Sequence, residues 1–246
     1  TLAGFLAAGL VLAVALSGSA RAQEYVEGEH YDVISPAIAS RHPDKIEVTE
    51  FFSYSCGHCY NFEPVISKWK ESQPDDVVVV PSPVIWNKPM ELLAKAYYAA
   101  EVLDVTELMH LALFQAIHVD RQRLSSAADI AKVFEDGGVP EEEFLKAFNS
   151  FGVSSMARQA DARARAARIS GTPEVMVAGK YRVTTRKAGS QAGMLEIAEF
   201  LIEKERAAKA AAALAETAAG ASARSCVMSM PNCVPQSPTW LIRNTS

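Results

Sequence analysis

Two cysteines spaced by two residues, Cys56 and Cys59, lie where strand-like sequence gives way to helix-like sequence, and this junction constrains the fold more than any other feature. Before it runs Ile46-Glu47-Val48-Thr49-Glu50-Phe51-Phe52, rich in β-branched and aromatic residues as strands are. After it Tyr60, Phe62, Val65, Ile66 and Trp69 recur at helical spacings, so a helix is expected to begin at the first cysteine, with Pro64 kinking it. Unpaired backbone N–H groups and the macrodipole at a helix start favour a thiolate and pull a cysteine pKa below its free value of about 8.5. Cys56 holds that position and is assigned as the nucleophile; Cys59, one turn deeper, is the resolving thiol. Together they form a candidate redox disulfide, because exchange needs one attacking sulfur and a second within reach to release the mixed disulfide. An imidazole at His58 that is charged, or donates a hydrogen bond, favours the Cys56 thiolate further. Gly57 adds backbone freedom without charge.

The competing reading of such a cysteine pair is half of a zinc site. A tetrahedral site takes about four ligands. The sequence offers no second close Cys/His pair inside its folded region, since Cys226 and Cys233 fall in a Ser/Pro-rich tail. No metal and no dissociable cofactor are therefore expected. His30, His42, His110 and His118 show no paired spacing and read as surface or helix histidines.

The chain has 246 residues, 49% of them hydrophobic and 22% charged, which is enough apolar material for one core or for one domain carrying an insertion. A formal net charge of -5 and the lack of a long Lys/Arg run give no footprint for phosphate backbones, so nucleic acid is excluded as an expected partner. Residues 1–22 join the apolar run Leu2–Leu16 to Ser19-Ala20-Arg21-Ala22, a hydrophobic segment ahead of a small-residue cleavage site, and read as a signal peptide cut after Ala22. The run is shorter than the roughly 20 residues that span a bilayer. Export matters because disulfides persist outside the cytosol.

Tyr31–Ile34 suggests a short strand, and Val77–Val80 a buried strand ended by Pro81 and Pro83. From Trp86 to Met156 the signals are helical: Ser126 and Asp129 cap a helix that Gly137-Gly138 stops, and Pro140 opens another. A basic helix over Ser155–Ile169 leads to Gly171-Thr172-Pro173, then to a hairpin, Glu174–Val177 and Tyr181–Val183 about the turn Ala178-Gly179-Lys180. A last helix is expected from Gly193 to about Lys204, which Ala207–Ala221 extends, with Ser222–Ser246 aperiodic and disordered. Strand, helix and strand, then helices, then hairpin and helix describe an interrupted α/β fold.

Those anchors, Glu50-Phe51-Phe52-Ser53 before Cys56-Gly57-His58-Cys59-Tyr60, the block Ser126–Phe134, and Gly171-Thr172-Pro173 with Gly179-Lys180-Tyr181, resemble the DsbA family of periplasmic disulfide-donating oxidoreductases over about Tyr25–Arg206. The resemblance implies a thioredoxin fold, residues 23–85 and 157–206, interrupted by a helical insertion, 86–156; the Ala-rich, then disordered tail read from composition, 207–246, falls outside the family pattern. It implies that Cys56 reacts, that His58 stabilises its thiolate, that Thr172 and a cis-Pro173 meet the client peptide, and that Glu50 is a buried acid assisting proton movement near Cys59. It implies a monomer in the periplasm that oxidises reduced exported polypeptides and is recharged by a membrane oxidase. Two departures stand out. The family's proline between the cysteines is Gly57, as in eukaryotic protein disulfide isomerases, which are weaker oxidants. The basic residue that pairs with the buried acid has no equivalent in Val77–Val84. The alternatives are accordingly an isomerase or reductase, or a non-catalytic module that binds peptides or a metal.

Overall fold

The structure, a computed structural model, describes residues 24–229, with side chains to residue 217. The proposed signal peptide and Cys233 lie outside the described residues. A five-stranded sheet runs in the order β1–β5–β4–β2–β3, formed by Asp32–Val33 (β1), Ile46–Phe52 (β2), Val77–Pro83 (β3), Glu174–Val177 (β4) and Tyr181–Thr184 (β5). Only β2 and β3 pair in parallel, joined by helix α1, Gly57–Glu71; the other neighbours are antiparallel. All seven residues of β2 are buried, because the sheet is covered on both faces. On one face Val48, Val175 and Val177 pack against Phe62 and Ile66 of α1 and against Met194, Ile197 and Leu201 of the last helix, α8 (Gln191–Ser229), which follows the single turn α7 (Thr185–Ala188). On the other, Phe51 and Met176 meet Ala164, Ala167 and Ile169.

Between β3 and β4 the chain makes α2 (Lys88–Val102), α3 (Thr106–His118), α4 (Ala127–Asp136), α5 (Glu141–Phe148) and α6 (Phe151–Ala166). Their own core includes Leu113, Phe114, Ile130, Phe134 and Phe144, and it takes in Phe52, Tyr54 and Cys59 from the sheet side. Residue 156, where the sequence suggests a boundary, falls inside α6. That helix is continuous from Ser150, whose hydroxyl caps it, and it serves both cores: Val153, Ala157 and Ala160 face the helices, Ala164 the sheet. It is fixed to β2 by a buried ion pair between Arg163 and Glu47, 2.5 Å, and Glu47 also accepts from the Ser40 hydroxyl and the Arg41 N–H.

Of the two prolines expected to end β3, Pro81 lies inside the strand and Pro83 is its last residue. Pro81 is tolerated because β3 is the sheet edge, where a residue without an N–H loses no ladder bond if it faces outward. Val84 supplies the next inward N–H, to the Phe52 carbonyl at 2.9 Å. At the hairpin, Gly179 has φ +67 and a Cβ there would stand 1.9 Å from the Ile38 carbonyl oxygen, so only glycine fits. The tail also departs from expectation: α8 runs Gln191–Ser229, past Ser222, since an Ala-rich stretch with one glycine contains nothing that stops a helix. Cys226 lies on its final turns. No helix among the described residues is long and apolar enough to cross a membrane.

Candidate active site

The cysteine pair sits where β2 delivers the chain to α1. Cys56 is the N-cap, extended at φ -95 and ψ 112, and its sulfur accepts the Cys59 N–H at 3.4 Å in place of the usual Ser or Asp oxygen. Ser53 accepts the Cys56 N–H through its carbonyl at 3.0 Å, which turns the chain into the helix. Both cysteines are free thiols here, Cys56 partly exposed and Cys59 buried. The Cys56 pKa is lowered to about 5, chiefly by a hydrogen bond from the Cys59 thiol, then against the opposing effect of burial by the Thr172 side chain and by the N–H groups of Cys59 and His58. Cys59 is driven the other way, by its bond to Cys56 first and by burial second. One sulfur therefore holds a negative charge at neutral pH and its neighbour holds a proton.

The loop before β4 comes to this pair from the far side of the insertion. Thr172–Pro173 is a cis peptide, and the Thr172 carbonyl oxygen lies 3.4 Å from the Cys56 sulfur across 116 residues of sequence. His58 is exposed. It acts on Cys56 through its backbone N–H, and its own carbonyl accepts from Gln191 at 2.6 Å. Among the described residues its ring makes no hydrogen bond; of the two ways the imidazole was expected to favour the thiolate, a hydrogen bond or its charge, the first is not seen here.

Glu50 lies in the middle of β2, 1% exposed, and its Oε1 has no hydrogen-bond partner. Burial first, and the Glu63 carboxylate second, push its carboxyl well above the ordinary range. The second acid, Glu63, is partnered by a histidine of the helical layer: His110 Nε2 lies 3.0 Å from Glu63 Oε1, and His110 Nδ1 lies 2.8 Å from the Tyr54 hydroxyl. Burial first, and the nearby carboxylates after it, push the Tyr54 hydroxyl well above its ordinary range. His118, two turns along the same face from His110, stacks on Tyr60 at 5.1 Å and bonds the Tyr54 carbonyl at 2.8 Å.

Residues 83–195 match the DSBA-like thioredoxin domain family. The chain is 36% identical to the thiol:disulfide interchange protein DsbA of Pseudomonas aeruginosa over 203 residues, 82% of this chain and 96% of that protein. The chain belongs to the DsbA family. With the DsbA of Pseudomonas syringae it shares 37% over 208 residues, covering 84% and 97% of the two chains. The crystal structure of Pseudomonas aeruginosa DsbA, 36% identical, aligns with a TM-score of 0.72 over 75% of this chain and 96% of that one. That of the oxidoreductase DsbA from Xylella fastidiosa, 32% identical, gives 0.71 over 74% and 98%.

As in the rest of the DsbA family, the fold is a thioredoxin fold interrupted by helices, here α2–α5 and the first half of α6. Of the residues singled out from sequence, the structure brings Cys56, Cys59 and Thr172 together, with Pro173 next in the chain, and buries Glu50 within β2. Sequence reading missed Glu63, His110, His118 and Tyr54. The one signal for them was the spacing of His110, Phe114 and His118, every fourth residue along α3, which puts both imidazoles on the face that meets the cysteine helix.

Proposed function

We propose that this chain donates the Cys56–Cys59 disulfide to reduced, exported polypeptides. A client thiolate attacks the Cys56 sulfur, a client–Cys56 bond forms as the Cys56–Cys59 bond breaks, and Cys59 leaves with the electron pair and takes a proton. A second client thiolate then attacks the client sulfur, closing the client disulfide and expelling Cys56 as a thiolate. The client loses two electrons and the pair gains them. The observation that carries this reading is the placement of Cys56 as the N-cap of α1, its sulfur accepting the Cys59 N–H beside Thr172, which lowers its pKa to about 5: the expelled sulfur is a stable anion, so the disulfide is readily given away.

In this reading Cys59 resolves and His58 supplies an N–H to the thiolate. Thr172 and Pro173 offer backbone to the client, and Glu50, protonated by its burial, exchanges a proton near Cys59. The chain works as a monomer in the periplasm after loss of its signal peptide, without metal or cofactor, and a membrane oxidase restores the disulfide. Reduced ribonuclease tests it. The oxidised protein restores ribonuclease activity in stoichiometric amounts, whereas Cys56→Ser restores none; equal oxidation by the two proteins ends the proposal. Gly57 supports the isomerase alternative, and equilibration with glutathione buffers separates the two, a donor becoming reduced in mixtures that leave an isomerase largely oxidised.

A further inference from the structure

Glu174 follows Pro173 and opens β4, yet its side chain turns back toward the loop it has just left. Its Oε1 accepts the Gly171 N–H at 2.8 Å and both the N–H and the hydroxyl of Ser170 at 3.4 Å. The residue is 3% exposed. Its other oxygen, Oε2, is buried with no hydrogen-bond partner, and the nearest cation, Arg182 Nε, stands off at 3.9 Å because that guanidinium is held by Asp32. A buried carboxylate with an orphaned oxygen destabilises the fold, so its hydrogen bonds to the loop are the interactions that hold it in place. The fit is close: a Cβ at Gly171 would stand 3.3 Å from Oε1.

The loop so fastened is the one that reaches Cys56. Thr172 lies between the clamped Gly171 and Pro173, with its carbonyl 3.4 Å from the Cys56 sulfur and its side chain favouring the thiolate. Beside it opens a cleft of about 330 Å³ lined by Thr172, Pro173, Glu174, Thr184 and Arg186, where the chain leading to a client cysteine has room to lie. Among the described residues no other group accepts the Gly171 N–H.

We propose that Glu174 is a positioning residue for disulfide exchange: it fastens Ser170 and Gly171 so that Thr172 meets both the Cys56 sulfur and the client backbone. This rests on the disulfide-donor reading of the same site. Glu174 touches neither sulfur and acts through Thr172.

The test uses Glu174→Met, which fills the same space without an acceptor and removes the orphaned carboxylate, so the fold is kept. Glu174→Gln retains an acceptor oxygen and serves as the rescue. Alkylation of Cys56 is followed against pH at its own peptide by mass spectrometry, together with KM and kcat for a reduced peptide. In Glu174→Met the alkylation midpoint moves to higher pH and KM rises about fivefold, the worth of one hydrogen bond, with kcat changed less. Glu174→Gln stays close to the parent in both. An unchanged Cys56 profile and KM in Glu174→Met, with or without a change in thermal stability, overturns the proposal, and so does a Gln variant as impaired as Met. Alkylation needs no client, so the clamp is judged even if the parent protein fails to oxidise peptides.

Discussion

Cys56 and Glu50 are pushed in opposite directions by their surroundings, and each direction has a consequence for pH dependence. Cys56 has several donors aimed at its sulfur, while Glu50 has a neighbouring carboxylate and an oxygen with no partner. Because the folded-state pKa of Glu50 lies above its ordinary 4.5, the unfolded chain releases this proton first as pH rises. The folded state then binds more protons than the unfolded one, and stability falls from about pH 4.5 up to the folded pKa. Glu50→Gln cannot ionise. Its stability by urea unfolding should match the parent near pH 4 and exceed it increasingly toward pH 7; a gap that does not vary with pH contradicts the buried, proton-holding Glu50. At this scale the sequence was informative where chemistry and adjacency coincide, as at Cys56 and Cys59. It was silent on Glu63 with His110, 47 residues apart, and on the backward turn of Glu174, because both depend on how distant elements pack.

Among the elements, α4 was the most legible. Its Ser126 hydroxyl accepts the Asp129 N–H at 3.1 Å and the Asp129 carboxylate accepts the Ser126 N–H at 3.0 Å, a reciprocal cap that local sequence alone specifies. Ser126→Ala should lower stability by about 1 kcal/mol in denaturant unfolding and leave client oxidation intact, since α4 packs chiefly on α5 and α3. A loss of oxidation in a folded Ser126→Ala protein would contradict that separation. The elements misjudged from sequence were those whose limits come from neighbours or from the lack of a stop. Pro81 is accommodated by an edge position that only the sheet order reveals. The start of α6 at Phe151 is set by Ser150, ahead of the basic face that drew attention to Ser155.

In the whole molecule the cysteines stand at the seam of two cores. Cys59, Phe52 and Tyr54 belong to the helical core, while Phe62 and Ile66 of the same α1 belong to the sheet core. Folding of both layers therefore builds the environment that holds the Cys56 anion, and forming the disulfide discards that stabilisation. In the unfolded chain the pair behaves as an ordinary dithiol. A thermodynamic cycle then requires that a disulfide more oxidising in the folded protein makes the oxidised fold less stable than the reduced one. The thiolate contribution has a definite sign: with the folded pKa near 5 and the ordinary value at 9.0, it is complete above about pH 9, shrinks as pH falls, and is gone below about pH 5. The most direct test measures denaturant unfolding of the reduced and oxidised protein from pH 4 to 8, with Cys226 and Cys233 replaced by alanine so that one pair titrates. The reduced form should be the more stable at pH 7, with its margin narrowing steadily toward pH 5. An oxidised form that is the more stable at pH 7, or a margin indifferent to pH, would contradict the account.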